Sequence, residues 1–248
     1  MVGNSTISLR QRFGHLDVQV LTIAISISLL CLLGAPLALR VSASVASPDG
    51  TPGNYQVHGL PNPTNYTSYG TRGYAKPRYP YVDPGSYKVE SVWVYGPTSG
   101  NFVEVGWWRP YGGEPEYFAG YMVNGQYYEC DNNYHPTPEY FYLFQVNHVG
   151  AQTNQTWDYY LGGAYQCSAT VNFWYGYSGG QGERHNTSDS CFTRWYGLEL
   201  QIYTTPPYPW VWMSWPGPMN GYDGDPGCFL CVVSNTDFRV KTNDTSCP

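Results

Sequence analysis

The stretch that decides the fold is Asn101-Phe-Val-Glu-Val-Gly-Trp-Trp-Arg-Pro110, with its continuation Glu116-Tyr-Phe-Ala-Gly-Tyr-Met-Val-Asn-Gly-Gln-Tyr-Tyr-Glu-Cys130. The first run alternates strictly. Val103, Val105 and Trp107 fall on one side, and Phe102, Glu104, Gly106 and Trp108 on the other, which is the period of a strand and not of a helix. The second run carries Asn124-Gly125 between two β-prone arms, the strongest short hairpin signal a sequence offers. The aliphatic side of the first run is assigned to the core. Glu104 then projects from the opposite face, beside a Trp and above Gly106, where the missing side chain is expected to leave room for a ligand.

Working outward, similar short runs recur between turn signals. They include KVESVWVYG from Lys88, EYFYLFQVNHVG, QTWDYYLGGAYQC, SATVNFWYGYSGG, TRWYGLELQIYTT from Thr193, PWVWMSWP and CFLCVVSNTDFRVKT. No stretch of helical length has a 3.6-residue period. About nine or ten strands at this spacing predict one all-β domain, an antiparallel sandwich of jelly-roll or concanavalin-like type, over residues 88–248. In TRWYGLELQIYTT the alternation assigns Leu198, Leu200 and Ile202 to the core and puts Trp195, Glu199 and Gln201 together on the other face. Residues 47–87, rich in Pro, Gly, Tyr and Asn, read as a lead or short pro-segment without secondary structure of its own.

Composition narrows the function. Among 248 residues there are 25 Tyr and 9 Trp but only 12 Lys and Arg against 18 Asp and Glu. An acidic chain does not bind nucleic acid by neutralising phosphates, and this aromatic load excludes a disordered protein. Arg10 and Arg12 precede an apolar run from Val18 to Leu39, and Ser44 and Ala46 suit a signal-peptidase site. Residues 1–46 are therefore expected to be a signal peptide, the alternative being a retained anchor, and the protein to be secreted, with no membrane association after cleavage. Removing Arg10, Arg12, Arg40 and Asp17 leaves 9 basic and 17 acidic residues, a net charge of −8, which suits acidic surroundings. Six cysteines remain after Cys31: Cys130, Cys167, Cys191, Cys228, Cys231 and Cys247. An even number in an exported chain reads as up to three disulfides. The Cys228–Cys231 spacing lacks the second half of a zinc site and reads as a structural disulfide.

The histidines lie in unrelated contexts, which gives a Ser/His/Asp triad little support, and no metal or other cofactor is expected. Two carboxylates remain as candidates for chemistry. Glu104 lies on the open strand face, and Glu183 lies in Gly179-Gly-Gln-Gly-Glu-Arg-His-Asn186, where glycines allow close approach of a substrate. Two acidic groups in one cleft can be driven apart in pKa by burial and hydrogen bonding, giving an acid and a base. Trp108, Gln181 and Trp195 are the candidate substrate-binding residues, and Glu199 is an alternative second carboxylate because of its expected place beside Trp195.

The run NFVEVGWW, the hairpin after it and the segment GGQGERHN resemble the neprosin-type domain over roughly residues 88–205. The resemblance implies a secreted glutamic peptidase built as a β-sandwich. It would act in acid next to proline on a polypeptide substrate, with Glu104 as the first catalytic glutamate and Glu183 as the second. The closely spaced Cys pair that follows the first glutamate in plant members is missing, as is their large amino-terminal domain. Two other functions fit the residues: a glycoside hydrolase of jelly-roll type with two catalytic glutamates, and a non-catalytic sandwich that binds carbohydrate or a surface through its aromatics. Nothing in the sequence sets the oligomeric state.

Overall fold

The structure is a computed structural model. It describes residues 55–242 apart from 62–65, 99, 131–133, 152, 205–209, 224 and 226. Contacts divide the chain into residues 1–42 and 43–248, and every described residue belongs to the second unit. The expected export segment, 1–46, lies outside the described residues.

Sixteen strands and no helix occur among the described residues. They are β1 (Tyr55–Leu60), β2 (Thr67–Ser68), β3 (Gly70–Ala75), β4 (Tyr87–Tyr95), β5 (Phe102–Pro110), β6 (Glu116–Val123), β7 (Gln126–Glu129), β8 (Tyr142–His148), β9 (Thr156–Leu161), β10 (Ala164–Thr170), β11 (Gly176–Arg184), β12 (Thr193–Tyr203), β13 (Trp210–Ser214), β14 (Asn220–Asp223), β15 (Phe229–Val232) and β16 (Phe238–Lys241). They form two antiparallel sheets. The first runs β14-β1-β11-β4-β5-β6-β7 with β2 against β11. The second runs β10-β9-β8-β3-β12-β16-β15 with β13 against β12. The expected antiparallel sandwich is what is found.

The β6–β7 hairpin closes where its sequence says, with Val123 opposite Gln126 and both Asn124 and Gly125 at positive φ. The core between the sheets is also the one that alternation assigns. Val103, Val105 and Trp107 of β5 are sealed from solvent, as are Val92 and Val94 of β4, and they share one apolar cluster with Phe144, Val146, Trp157, Tyr159, Leu198 and Leu200 of the second sheet. Two buried aromatic polar atoms there find partners: Trp157 Nε1 donates to Phe173 O at 3.0 Å and Tyr159 Oη to Gly120 O at 3.0 Å.

Three expectations are corrected. Residues 55–75 are integral to the sandwich and not an extension: β1 pairs with β11 in the first sheet, and β3 lies between β8 and β12 in the second. Trp195 is not on the open face. Opposite β3, three steps along β12 from Tyr196 to Glu199 match two steps from Tyr74 to Arg72, and Gly197 has φ +60°. This bulge inserts one residue and reverses the alternation, so Trp195 and Leu198 both point inward. Trp195 is fully buried, and its Nε1 donates to Gln181 O at 3.1 Å. Last, Cys228 does not pair with Cys231. The disulfides are Cys130–Cys167 and Cys191–Cys228, and Cys231 is disulfide-bonded separately.

Candidate active site

The site lies on the face of the first sheet turned away from the core. On β5 that face carries Phe102, Glu104, Gly106 and Trp108. The strand register sets Trp93 and Ser91 of β4 opposite Glu104 and Gly106. On β11, Gly179 lies opposite Trp93, Gln181 opposite Ser91 and Glu183 opposite Val89. On β1, His58 lies opposite Gln181 and Gln56 opposite Glu183. Four strands therefore bring Glu104 and Glu183, 79 positions apart in the chain, onto one surface.

Both carboxyls are buried, Glu104 at 0% and Glu183 at 1% exposure. Ser91 Oγ donates to Glu104 Oε2 at 3.1 Å, whereas Oε1 has no hydrogen-bond partner of good geometry among the described residues. Glu183 Oε2 accepts from Gln56 Nε2 at 3.1 Å and from Gln181 Nε2 at 3.4 Å. Burial drives the Glu104 pKa well above the carboxylate range, and the charge of Glu183 drives it further. Tyr95 responds to burial first and then to both glutamates, so one phenol senses the two carboxyls together. Hydrogen bonds with Ser91 and Tyr127 pull the Glu104 pKa back, while Glu129, whose Oε1 accepts from Tyr127 Oη at 3.2 Å, adds to the rise.

Apolar surface flanks this polar centre on both sides. Trp93, Tyr95 and Phe102 cluster at one end, with Trp93 and Tyr95 edge to face at 4.6 Å. Tyr87, Val89 and Phe118 cluster at the other, where half-buried Trp108 packs against them.

Each candidate residue can now be placed. Gln181 hydrogen-bonds Glu183, and Glu104 lies on the same face within electrostatic reach of Glu183. Trp108 shares their face, four residues along β5 from Glu104. Trp195 lies in the core, so its expected substrate contact is withdrawn. Glu199 is on the other sheet, held by Arg72 Nε at 2.5 Å, and is no substitute for Glu183. Gly106 does not open a ligand space either: a Cβ there would sit 2.0 Å from Glu90 O, so its role is the close approach of β5 to β4. Asp225, Cys191 and Cys228 gather with metal-ligand proximity, but the two sulfurs form a disulfide and Asp225 is engaged by Arg184.

Sequence reading missed Ser91, Gln56 and His58. The last two alternate around inward-facing Val57 in YQVHGL, a polar–apolar–polar signal hidden by its position in the Pro- and Gly-rich lead.

No protein-family model matches the chain, and no curated protein matches it by sequence. Solved structures do. A scytalido-glutamic peptidase with a transition state analog inhibitor aligns at TM-score 0.50 and 10% identity, over 77% of this chain and 98% of that one. SCP-B, a member of the eqolisin family of peptidases, aligns at TM-score 0.49 and 11% identity over the same shares. A β-glucanase of Bacillus licheniformis reaches TM-score 0.36 at 12% identity. At these identities the first of the three carries a likeness of fold: this chain has a sandwich similar to that of a glutamic peptidase.

Proposed function

We propose that this protein is a secreted glutamic-type endopeptidase working in acid, with Glu104 and Glu183 as its catalytic pair. The observation that carries the proposal is the placement of these two buried carboxyls on one sheet face, electrostatically coupled, with amide and hydroxyl donors beside them. Two buried carboxyls that act on each other's protonation are what acid–base chemistry uses.

The roles follow from the surroundings. Glu183, accepting from two amides, is the carboxylate that takes a proton from the attacking water, whose oxygen adds to the scissile carbonyl carbon. Glu104, kept protonated by burial and by its neighbour's charge, hydrogen-bonds the carbonyl oxygen and then serves the leaving amine. Gln181 positions Glu183, and Trp108 with Phe118 and Val89 forms an apolar subsite for a substrate side chain. The rate is bell-shaped in acid, lost at high pH as Glu104 loses its proton and at low pH as Glu183 gains one. The neprosin-type resemblance around Glu104 and the fold shared with a glutamic peptidase support this reading, and the disulfides fit an oxidising, exported location. No helix among the described residues is long and apolar enough to cross a membrane.

The test is an activity panel of casein at about pH 3–4, xylan and β-glucan, with wild type and Glu104→Gln. Proteolysis that the variant lacks, with its fold intact by circular dichroism, is expected. Cleavage of glycans instead of casein, or an unchanged proteolytic rate in the variant, would refute the assignment.

A further inference from the structure

A general acid must be given back its proton after each turnover, and the carboxyl of Glu104 is fully buried. Glu183 lies two strands away on one side of it, across β4. On the other side lie β6 and the edge strand β7. The register there sets Glu104 opposite Gly120 of β6, and Gly120 opposite Glu129 of β7. Two strand spacings, roughly 10 Å, thus separate the backbones of the two glutamates. Tyr127 fills that interval. It shares the outer face of β7 with Glu129, and its ring leans over β6 where no side chain stands: a Cβ on Gly120 would lie 2.1 Å from Tyr127 Oη. The ring packs against the Trp93, Tyr95 and Phe102 cluster, 6.3 Å from Phe102 between centroids. Its hydroxyl meets a carboxyl on either side. It lies 3.2 Å from Glu129 Oε1 and also hydrogen-bonds Glu104. Of the two carboxyls, Glu104 is buried and Glu129 is exposed.

From this geometry we propose that Tyr127 and Glu129 form a proton relay, which carries a proton from solvent at the sheet edge back to Glu104 after each cleavage. The inference rests on the reading of Glu104 as the general acid. A phenol has one hydrogen and two lone pairs, so it donates to one carboxyl while accepting from the other. While Glu104 holds its proton, it donates to Tyr127 Oη and Tyr127 donates to Glu129. Once Glu104 has given its proton to the leaving amine, the direction reverses. The Tyr127 O–H bond breaks as its proton passes to a Glu104 oxygen, and a new O–H bond forms with the proton of Glu129. Glu129 takes its next proton from hydronium, and the phenol is neutral before and after.

The other contacts of these groups leave the relay in place. A carboxylate has two oxygens and about four acceptor sites, so Ser91 on Glu104, and further donors on Glu129, do not contend with Tyr127. The edge strand is also anchored. Cys130, next after Glu129, is bonded to Cys167 of β10 in the other sheet. The titratable side chains around Glu104 and Tyr127 are Glu183 on β11, Tyr95 on β4, Glu129 on β7 and Tyr159 on β9, which reaches them from the core side. His58 on β1 lies beyond, beside Gln181, and Glu116 lies at the far end of β6, opposite Trp108.

Kinetics of the full chain on casein test the relay. Tyr127→Phe keeps the ring, and Glu129→Gln changes an exposed position, so both variants are expected to fold. Each is expected to lower kcat roughly 10-fold with KM within about twofold. Formic acid, a small proton donor, is expected to restore kcat in both variants when raised at constant pH, and to leave wild type unchanged. The alkaline limb of the rate profile is expected to move to higher pH in Tyr127→Phe, which loses a donor that favours the Glu104 carboxylate. It is expected to move to lower pH in Glu129→Gln, which loses a negative charge that disfavours it. A wild-type kcat in both variants, a lowered kcat that formic acid does not restore, or a limb unmoved in both overturns the relay. An inactive Glu104→Gln beside any of these leaves the peptidase assignment standing. Full activity in Glu104→Gln removes that assignment, and the relay with it.

Discussion

Strands β4 and β11 carry two buried polar clusters, one on each face, and they are built on opposite principles. On the core side, Arg184 makes a bidentate contact with Asp225, Nε–Oδ2 and Nη2–Oδ1 both at 2.6 Å, and gives a further bond to Asp189 O at 2.8 Å. Asp189 accepts in turn from the backbone N–H of Asp83 and Asn186 and from Ser86 Oγ. Lys88 and Glu90 lie beside them, with Lys88 Nζ donating to Thr193 Oγ1 at 2.9 Å. Charge there meets opposite charge. On the outer face, Glu104 and Glu183 act on each other electrostatically, with a serine and a tyrosine hydrogen-bonded to the first and two glutamines to the second. Adjacent residues, Glu183 and Arg184, thus belong to different regimes. An ion-paired cluster holds a fold together; two carboxyls buried on one face keep a proton available, and that is the mark of chemistry.

The sharpest way to break this comparison is to neutralise each cluster in turn. Glu104→Gln and Glu183→Gln are expected to lower kcat/KM by about 10³-fold or more, which is roughly 4 kcal/mol of transition-state stabilisation, without loss of melting temperature. A large fall in melting temperature in either variant would show that these carboxyls are structural after all. Asp225→Ala is the mirror experiment. It strands a buried guanidinium and is expected to cost about 3–5 kcal/mol, seen as a drop of roughly 10 °C in thermal unfolding. Stability unchanged in that variant would remove the compensated cluster from the argument.

A smaller effect concerns pH. Burial raises Glu90 to about 7, while Lys88 and then Arg78 pull it down. Its folded pKa exceeds its unfolded one, so the folded state holds the proton more tightly. The stability this contributes is fully present below about pH 4.5 and is lost as pH rises through about 7. Glu104, also raised, acts with the same sign. Wild-type melting temperature is therefore expected to be higher at pH 4 than at pH 7, with Glu90→Gln losing part of that slope, on the order of 2–3 kcal/mol. A slope identical to wild type would reassign the titration to other groups. The smallest effect is expected at Glu199→Gln, where a half-exposed pair with Arg72 is worth about 1 kcal/mol or less and proteolysis is untouched. A strong loss of activity there would reopen its candidacy as the second carboxylate.

Legibility followed the physics of the strand. Within an unbroken run the side chains alternate whatever lies around them, so the core side of β5, the open side of Glu104 and the Asn124-Gly125 hairpin could be read directly. The reading failed where one residue broke the period: the bulge at Gly197 turned Trp195 from a surface platform into a core residue. It failed again in the lead, where β1 is only six residues long and contains Gly and His, so composition spoke for an extension. Glycine density around Glu183 suggested close approach of a substrate, yet this is an interior strand in which Gly179 makes way for the Trp93 ring, 2.2 Å from where its Cβ would stand.

The chain alone determined that there would be strands, which side of an unbroken run such as β5 would turn to the core, and that Glu104 would stand away from it, because these depend on neighbours one or two residues apart. Which carboxyl would meet Glu104, and that Gln56 and His58 would complete the site, was decided only when β1, β11, β4 and β5 lay side by side. That order comes from strand pairing between distant segments, and local alternation carries no information about it.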